Sequence, residues 1–344
     1  MPEDHFRADE SIDLHAMVRG LSVSQMIGVA CRIGLADALG KGDVVPIPKL
    51  AQSVSAHPGA TRRLCRTLSA FGIFRVTKEG HLQHNSKSLL LRRDSVPSLH
   101  WAARFWTMPS IWATAGALDH TIRTGGQAFD QANGITFFEH FQRNPGDGDI
   151  FDKYMAVGYP GRPQEAIADS IALDGGETVV DVGGGTGALL IDLLERHGDL
   201  RTILYEQPGQ IAAATAALTK ASLADRCDMV AGDFLEWVPE GGDAYILSWI
   251  LHDWPDDDAA RILQCCRKAM KPGARLILVE RLLSEDPHEC NAYDLLVDLH
   301  MMMFFRGMER TAPEFNTLME RAGFKPIREV ARKSQFSILE TEPA

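Results

Sequence analysis

Val180-Asp181-Val182-Gly183-Gly184-Gly185-Thr186-Gly187 decides how this chain reads. Apolar β-branched residues bracket an acid, glycines crowd the next positions, and Ala188-Leu189-Leu190-Ile191 opens an apolar run. A strand, a glycine turn and a helix in that order let backbone come close to a ligand and aim helix N–H groups at it. Working outward, short apolar strands alternate with helices. Strands are expected at 178–182, 202–206, 227–231, 244–249 and 275–280, and helices at 188–197, 209–218 and 257–270. That alternation predicts a mostly parallel sheet buried between two helical layers. Residues 325–330 and 335–340 read as a closing antiparallel pair.

Before the sheet the pattern is helical. Leu14, Met17, Val18 and Leu21 fall at helical spacing, and a second helix is expected from Ser24 to Leu39, ahead of Gly40. Pro48 opens a short helix over 49–54, and 61–71 carries Leu64, Leu68 and Phe71 on one stripe. Ile73–Val76 and His81–Gln83 flank a Lys78-Glu79-Gly80 turn and predict a hairpin, so residues 24–93 have the order of a winged helix. Residues 98–142 read as helical and aromatic-rich, followed by a loop at Asn144–Gly148 and a second at Gly158–Pro163. Two Pro/Gly clusters so close together predict a boundary near 163, giving domains 1–163 and 164–344.

Composition limits the function. The 344 residues are 45% hydrophobic and 24% charged, which excludes a disordered or collagen-like chain. No apolar run approaches the roughly 18 residues of a membrane span. The acidic start lacks the basic-then-apolar order of an export signal, and six cysteines show no C-x-x-C pair. A cytoplasmic protein with reduced thiols is the expectation.

The glycine motif alone is ambiguous, because Gly183, Gly185 and Ala188 also spell the dinucleotide pattern G-x-G-x-x-A, with Glu206 placed to hold a ribose. Three features favour S-adenosylmethionine. Asp181 precedes the glycines, where it would repel a pyrophosphate and attract an ammonium. Asp233 and Phe234 follow the third strand, suited to an adenine amino group and ring. No Tyr-x-x-x-Lys pair for hydride transfer appears downstream. A second segment, Ser248-Trp249-Ile250-Leu251-His252-Asp253-Trp254-Pro255-Asp256, ends the fourth strand at the edge where open α/β sheets bind ligands. A neutral imidazole there, accepting protons near 6.5, is a natural base for a hydroxyl. The acids at 256–258 read as a helix start that complements its dipole, not as a metal site.

Together with Glu309-Arg310-Thr311 and Glu314-Phe315, these motifs resemble the homodimeric small-molecule O-methyltransferases of the caffeic-acid and acetylserotonin type, and most of all the bacterial natural-product tailoring enzymes. The resemblance spans residue 14 to the end. It implies a Rossmann-like catalytic domain behind a winged-helix-like dimerisation domain. It implies S-adenosyl-L-methionine as cofactor, S-adenosyl-L-homocysteine as product and no metal. His252 is the implied base, with Glu280 and Glu309 flanking it and Asp253 beside it. Asp181, Gly183, Gly185, Glu206, Gln207, Asp233, Phe234, Ser248 and Trp249 match the cofactor shell. Phe151 and Met155 match the methyl-transfer chamber, and Met301, Met302 and Phe305 fall where acceptor-binding residues lie, though this stretch departs from the plant pattern. The expected acceptor is a small aromatic molecule, and the expected protein partner is a second copy of the chain, with no membrane. Alternatives are a relative methylating carbon or nitrogen, or one using the cofactor otherwise.

Charge raises one more alternative. The chain is acidic overall at −11, yet 46–93 carries nine basic residues against Glu79 alone, and Arg62, Arg63 and Arg66 sit in the would-be recognition helix. Phosphate neutralisation could use such a face. The resemblance assigns this module to a subunit interface instead, so no nucleic acid is expected.

Overall fold

The computed structural model describes residues 8–157, 164–333 and 336–344. It has two compact units, one formed by residues up to 115 with 138–157, the other by 116–137 and the remainder. The boundary expected at 163, with its Gly158–Pro163 loop, lies outside the described residues. Residues 116–137, expected with the helical half, pack with the second unit.

The second unit is built on a seven-stranded sheet. Its order across the sheet is Arg328–Arg332, Ser337–Thr341, Arg275–Glu280, Ala244–Ser248, Thr178–Val182, Arg201–Glu206, Cys227–Ala231. Only Ser337–Thr341 runs antiparallel to its neighbours. Alternate side chains leave opposite faces: Val180, Val182, Tyr245, Leu247, Leu276 and Leu278 enter one core, while Val179, Ile246, Ile277 and Val279 enter the other. Both faces are covered by helices, so the strands read as unbroken apolar runs. Chain order moves outward from Thr178–Val182 to one side and then restarts on the other with Ala244–Ser248. The carboxyl ends of these two adjacent strands therefore flank the switch point where α/β sheets take ligands. Asp181 sits there, in register with Leu204 and Ile246.

The first unit has its own core around Leu35, Leu39, Ile47, Leu50, Leu68, Phe74 and Leu82. The helix expected to run unbroken to Leu39 instead spans Gly20–Arg32 and restarts at Leu35–Ala38. Gly34 stands between them at φ +71°, a conformation that ends a helix and favours glycine. The hairpin gains a third strand, Val44–Pro46, paired antiparallel with His81–Gln83. The loop expected at 144–148 is corrected: a helix, Pro145–Val157, begins there with proline in its first turn, where a missing N–H costs nothing. The acids at 256–258 do open a helix, Asp256–Ala269. The closing pair lies slightly later than expected, at Arg328–Arg332 and Ser337–Thr341, and Gln335 falls outside the described residues.

Candidate active site

The Ala244–Ser248 strand leaves the sheet through Trp249, whose φ of 58° is unusual for a side chain this large. Holding it there costs on the order of 1–3 kcal/mol, a cost that functional sites commonly carry. One tight turn, Leu251–Asp253, then presents His252, which is 9% exposed. Its Nδ1 lies 2.9 Å from Glu309 Oε1. An ionised carboxylate can only accept, so Nδ1 carries the hydrogen and Nε2 is the atom left to exchange a proton with a ligand. Asp253 Oδ1 stands 3.5 Å from that Nε2.

Glu280, expected to flank the imidazole, has a carboxylate oxygen within 4.8 Å of it and also binds the turn that carries it. Fully buried, it accepts the backbone N–H groups of Ile250 at 3.2 Å and Leu251 at 2.8 Å through Oε1. It grips the turn and reaches the ring only as a charge. His252, Glu280 and Glu309 offer ligand atoms within 4.8 Å of one another, a spacing open to a metal. Their bonds wire them otherwise: one imidazole nitrogen is held by one glutamate, and the other glutamate is spent on the turn's amides. The Oε2 atoms of Glu280 and Glu309 are buried with no hydrogen-bond partner among the described residues, which deepens the negative potential at the ring.

That potential corrects the neutral imidazole of the sequence reading. Burial pushes His252 down, but Asp253, Glu309 and Glu280 outweigh it and raise the ring to about 9. Burial in turn raises Glu280 to about 7, opposed by the His252 cation. The ring is thus held toward its protonated form, above the range of a free imidazole. A raised histidine stabilises the fold fully below its unfolded value near 6.5, and that contribution is lost as pH climbs through about 9. Base catalysis follows the opposite course and grows over the same interval.

Four residues that the sequence did not mark for a role hold this turn and the glutamate that anchors its ring. Arg310, 1% exposed, donates to Leu251 O and Trp254 O, both at 2.8 Å, and to Asp256 Oδ1. Met308 N–H donates to His252 O at 2.9 Å, and the neighbouring Gly307 packs so close that a Cβ there would lie 1.8 Å from the same oxygen. Asp298 Oδ1 accepts the N–H of Glu309 at 2.9 Å, fixing the residue that fixes the ring. Only the spelling Glu-Arg-Thr hinted at Arg310, and nothing pointed to Gly307 or Asp298.

Across the switch point stand the three acids expected to hold the cofactor. Asp181 is 2% exposed and raised to about 7 by burial and then by Glu206. Glu206 accepts from Gly185 N at 3.0 Å and Gln207 N at 2.7 Å, and burial raises it despite those bonds. Asp233, at the exposed start of the next loop, accepts from Leu235 N. Among the described residues none of the three has a cationic partner, which is costly for Asp181, the one that is buried. A Cβ on Gly183 would lie 2.5 Å from Ile250 Cδ1, so the glycine turn abuts the turn that carries His252. Phe234 meets Trp254 edge-on at 5.7 Å, adding Trp254 to the aromatic surface expected from Phe234 alone. Ser248 is half-buried, Gln207 is exposed at a helix start, and Trp249 packs its ring 5.6 Å from His252. Uncompensated acids, a glycine turn and an aromatic edge fit the ammonium, ribose and adenine of S-adenosylmethionine.

Met301 and Met302 lie in the last turn of the Ala292–Phe304 helix, and Phe305 follows it as the capping residue. Phe305 packs on Phe137 at 4.8 Å, and Phe137 on Phe129 at 5.1 Å and Phe304 at 5.5 Å, giving an aromatic wall within the second unit. His300, beside it, is pushed by burial to about 4 and stays neutral. Phe151 and Met155 belong to the first unit, where Phe151 stacks on Phe141 at 4.9 Å.

The chain is similar to known proteins along most of its length. Residues 116–325 match the O-methyltransferase domain family, and residues 16–88 match the O-methyltransferase dimerisation domain. The mitomycin biosynthesis 6-O-methyltransferase of Streptomyces lavendulae is 35% identical over 326 residues, 94% of this chain and 91% of that protein. The phenazine O-methyltransferase of Lysobacter antibioticus is 35% identical over 327 residues, 95% of this chain and 94% of that one. Among solved structures, a calicheamicin-biosynthesis methyltransferase with S-adenosylhomocysteine bound superposes with a TM-score of 0.82 at 27% identity, covering 99% of this chain and all of that one.

Proposed function

We propose, starting from the fact that this chain belongs to the S-adenosylmethionine-dependent O-methyltransferase family, that it methylates a phenolic hydroxyl of a polycyclic aromatic metabolite with His252 as base. The observation that carries this is the imidazole at the switch point, anchored through Nδ1 by Glu309 so that Nε2 serves the acceptor. The aromatic wall of Phe137, Phe304 and Phe305 suits a flat acceptor, and the relatives' names include phenazine and mitomycin chemistry.

S-adenosylmethionine, when bound, supplies an electrophilic methyl group on a sulfonium. Asp181, Glu206 and Asp233 would hold it, with Phe234 and Trp254 against its base. His252 sheds the proton it holds at neutral pH, then takes the hydroxyl proton on Nε2. Glu309 carries the imidazolium that forms, and Glu280, Arg310 and Gly307 keep the turn in place. Orientation of the acceptor oxygen supplies much of the acceleration, since it turns an encounter into a positioned reaction.

Calorimetry tests the cofactor half. S-adenosylhomocysteine is expected to bind at micromolar affinity, about −8 kcal/mol, and Glu206→Ala to weaken it at least tenfold. Binding of NADH with no binding of S-adenosylhomocysteine would refute the assignment.

The chain works as a homodimer in the cytoplasm. Its dimerisation domain belongs to a self-associating family. Ile12, Leu14, Met17, Val18 and Leu21 expose more than half their surface along the first helices, an apolar stripe that a second copy would cover. Light scattering at micromolar concentration should read twice the 37.9 kDa chain mass; a monomer contradicts this. Among the described residues no helix is long and apolar enough to cross a membrane, and all six cysteines are free, which suits a reducing compartment.

A further inference from the structure

The first unit contains a cavity of about 640 Å³ that the chemistry above does not use. That volume lies within the ~300–1,000 Å³ of small-molecule sites. Its wall is partly apolar, with Met108, Trp112 and Ile150, and partly cationic, with Arg32 and Arg104.

The two guanidiniums are not equivalent. Arg32 donates to Thr107 O, Thr107 Oγ1 and Gln25 Oε1 at 2.9–3.2 Å, all neutral acceptors. Arg104 is half-buried and has neither a hydrogen bond nor an ion pair among the described residues. Burial, then Arg32 and Arg93, push it below its ordinary value, against a smaller opposing pull from Cys31 and Asp147. Asp147, the acid in this wall, already sits 3.0 Å from His140 Nε2. A half-buried guanidinium with no hydrogen-bond acceptor among the described residues, on the wall of a space large enough for a ligand, has donors free for an anion.

We propose that this cavity binds an aromatic carboxylate, its carboxylate on Arg104 and its ring against Trp112 and the Met108–Ile150 surface. A planar guanidinium matches a carboxylate in two parallel hydrogen bonds. A phosphate would call for a second uncommitted cation, and Arg32 already spends donors on Thr107 and Gln25. None of the residues lining it is among those assigned above to methyl transfer, and the proposal goes beyond the function proposed for them.

The test uses the full-length protein and two probes of one shape, 2-naphthoate and its neutral carboxamide, titrated by calorimetry. Wild type should bind the carboxylate about ten- to a hundredfold more tightly than the amide, the usual worth of a charge-assisted pair. Arg104→Gln should bring that ratio close to one. Arg104→Lys should keep part of it, which separates loss of the charge from loss of the fold. Equal binding of both probes to wild type overturns the proposal, as does an unchanged ratio in Arg104→Gln or no binding of naphthoate at millimolar concentration. Titration of S-adenosylhomocysteine into the same samples keeps the two readings distinct: its binding without naphthoate binding rejects this site alone.

Discussion

His252→Ala is expected to lower turnover roughly 10²–10⁴-fold, the span that one positioned acid–base group supplies, while S-adenosylhomocysteine affinity stays nearly unchanged. The split between rate and binding follows from where the ring sits. His252 contacts Glu309 and Asp253, whereas the acids assigned to the cofactor are Asp181, Glu206 and Asp233 on other strands and loops. Removing the ring deletes the proton acceptor and leaves those groups where they are. Glu309→Gln should cost less, because the imidazole survives and loses only its charged anchor. An acceptor whose hydroxyl is acidic enough to ionise unaided should be the least sensitive to His252→Ala. Comparable losses in turnover and in S-adenosylhomocysteine binding would mean that His252 supports the pocket and does not exchange the proton.

Gly307→Ala, one methyl group added far along the chain, should be nearly as damaging to turnover. The new Cβ would stand 1.8 Å from His252 O, 2.6 Å from Asp253 C and 2.8 Å from Asp253 Cα. These are backbone atoms, so no side-chain rotation relieves the clash and one of the two segments must shift. The Met308 N–H bond to His252 O makes the displaced pair the one that sets the base. Displacement of a catalytic group by about 1 Å can cost about 10²-fold, and overpacking of this kind about 1–3 kcal/mol. Steady-state kinetics should therefore show about a hundredfold loss in kcat, and a thermal melt a midpoint several degrees lower. Wild-type turnover in the alanine variant would show that the turn is positioned by other contacts.

What was legible in the sequence follows from which forces are local. The central strands are buried on both faces, so Val-Val-Asp-Val and Leu-Ile-Leu-Val announce themselves as apolar runs. The glycine turn and the His-Asp-Trp segment lie directly at their ends, which is why Asp181 and His252 fall at the switch point. Punctuation was less dependable. Asn144-Pro145-Gly146 looks like a loop, but proline is also a good first residue for a helix, and a helix is what forms. The Val44–Pro46 strand exists only because His81–Gln83 pairs with it, a partner no short window contains. The bracing of the active turn was out of reach for the same reason. Glu309 meets a ring 57 residues away, Arg310 a carbonyl 59 residues away, and Glu280 an amide 29 residues away. The protonation of His252 depends on all of these charges together, so its residue type alone gave the ordinary value and the packed site gives a higher one.

The measurement that bears most directly on the central claim is the pH dependence of kcat/KM for wild type and His252→Ala, since that ratio reports the ionisations of the free enzyme. Three carboxylates hold a proton on the ring up to about pH 9. Wild type should therefore rise about tenfold per pH unit from neutrality and level off near that value, well above the 6.5 of a free imidazole. His252→Ala should lose that limb and keep only the slope set by the acceptor's own hydroxyl. Superimposable profiles for the two proteins would contradict the account, because the acceptor would then ionise without the histidine.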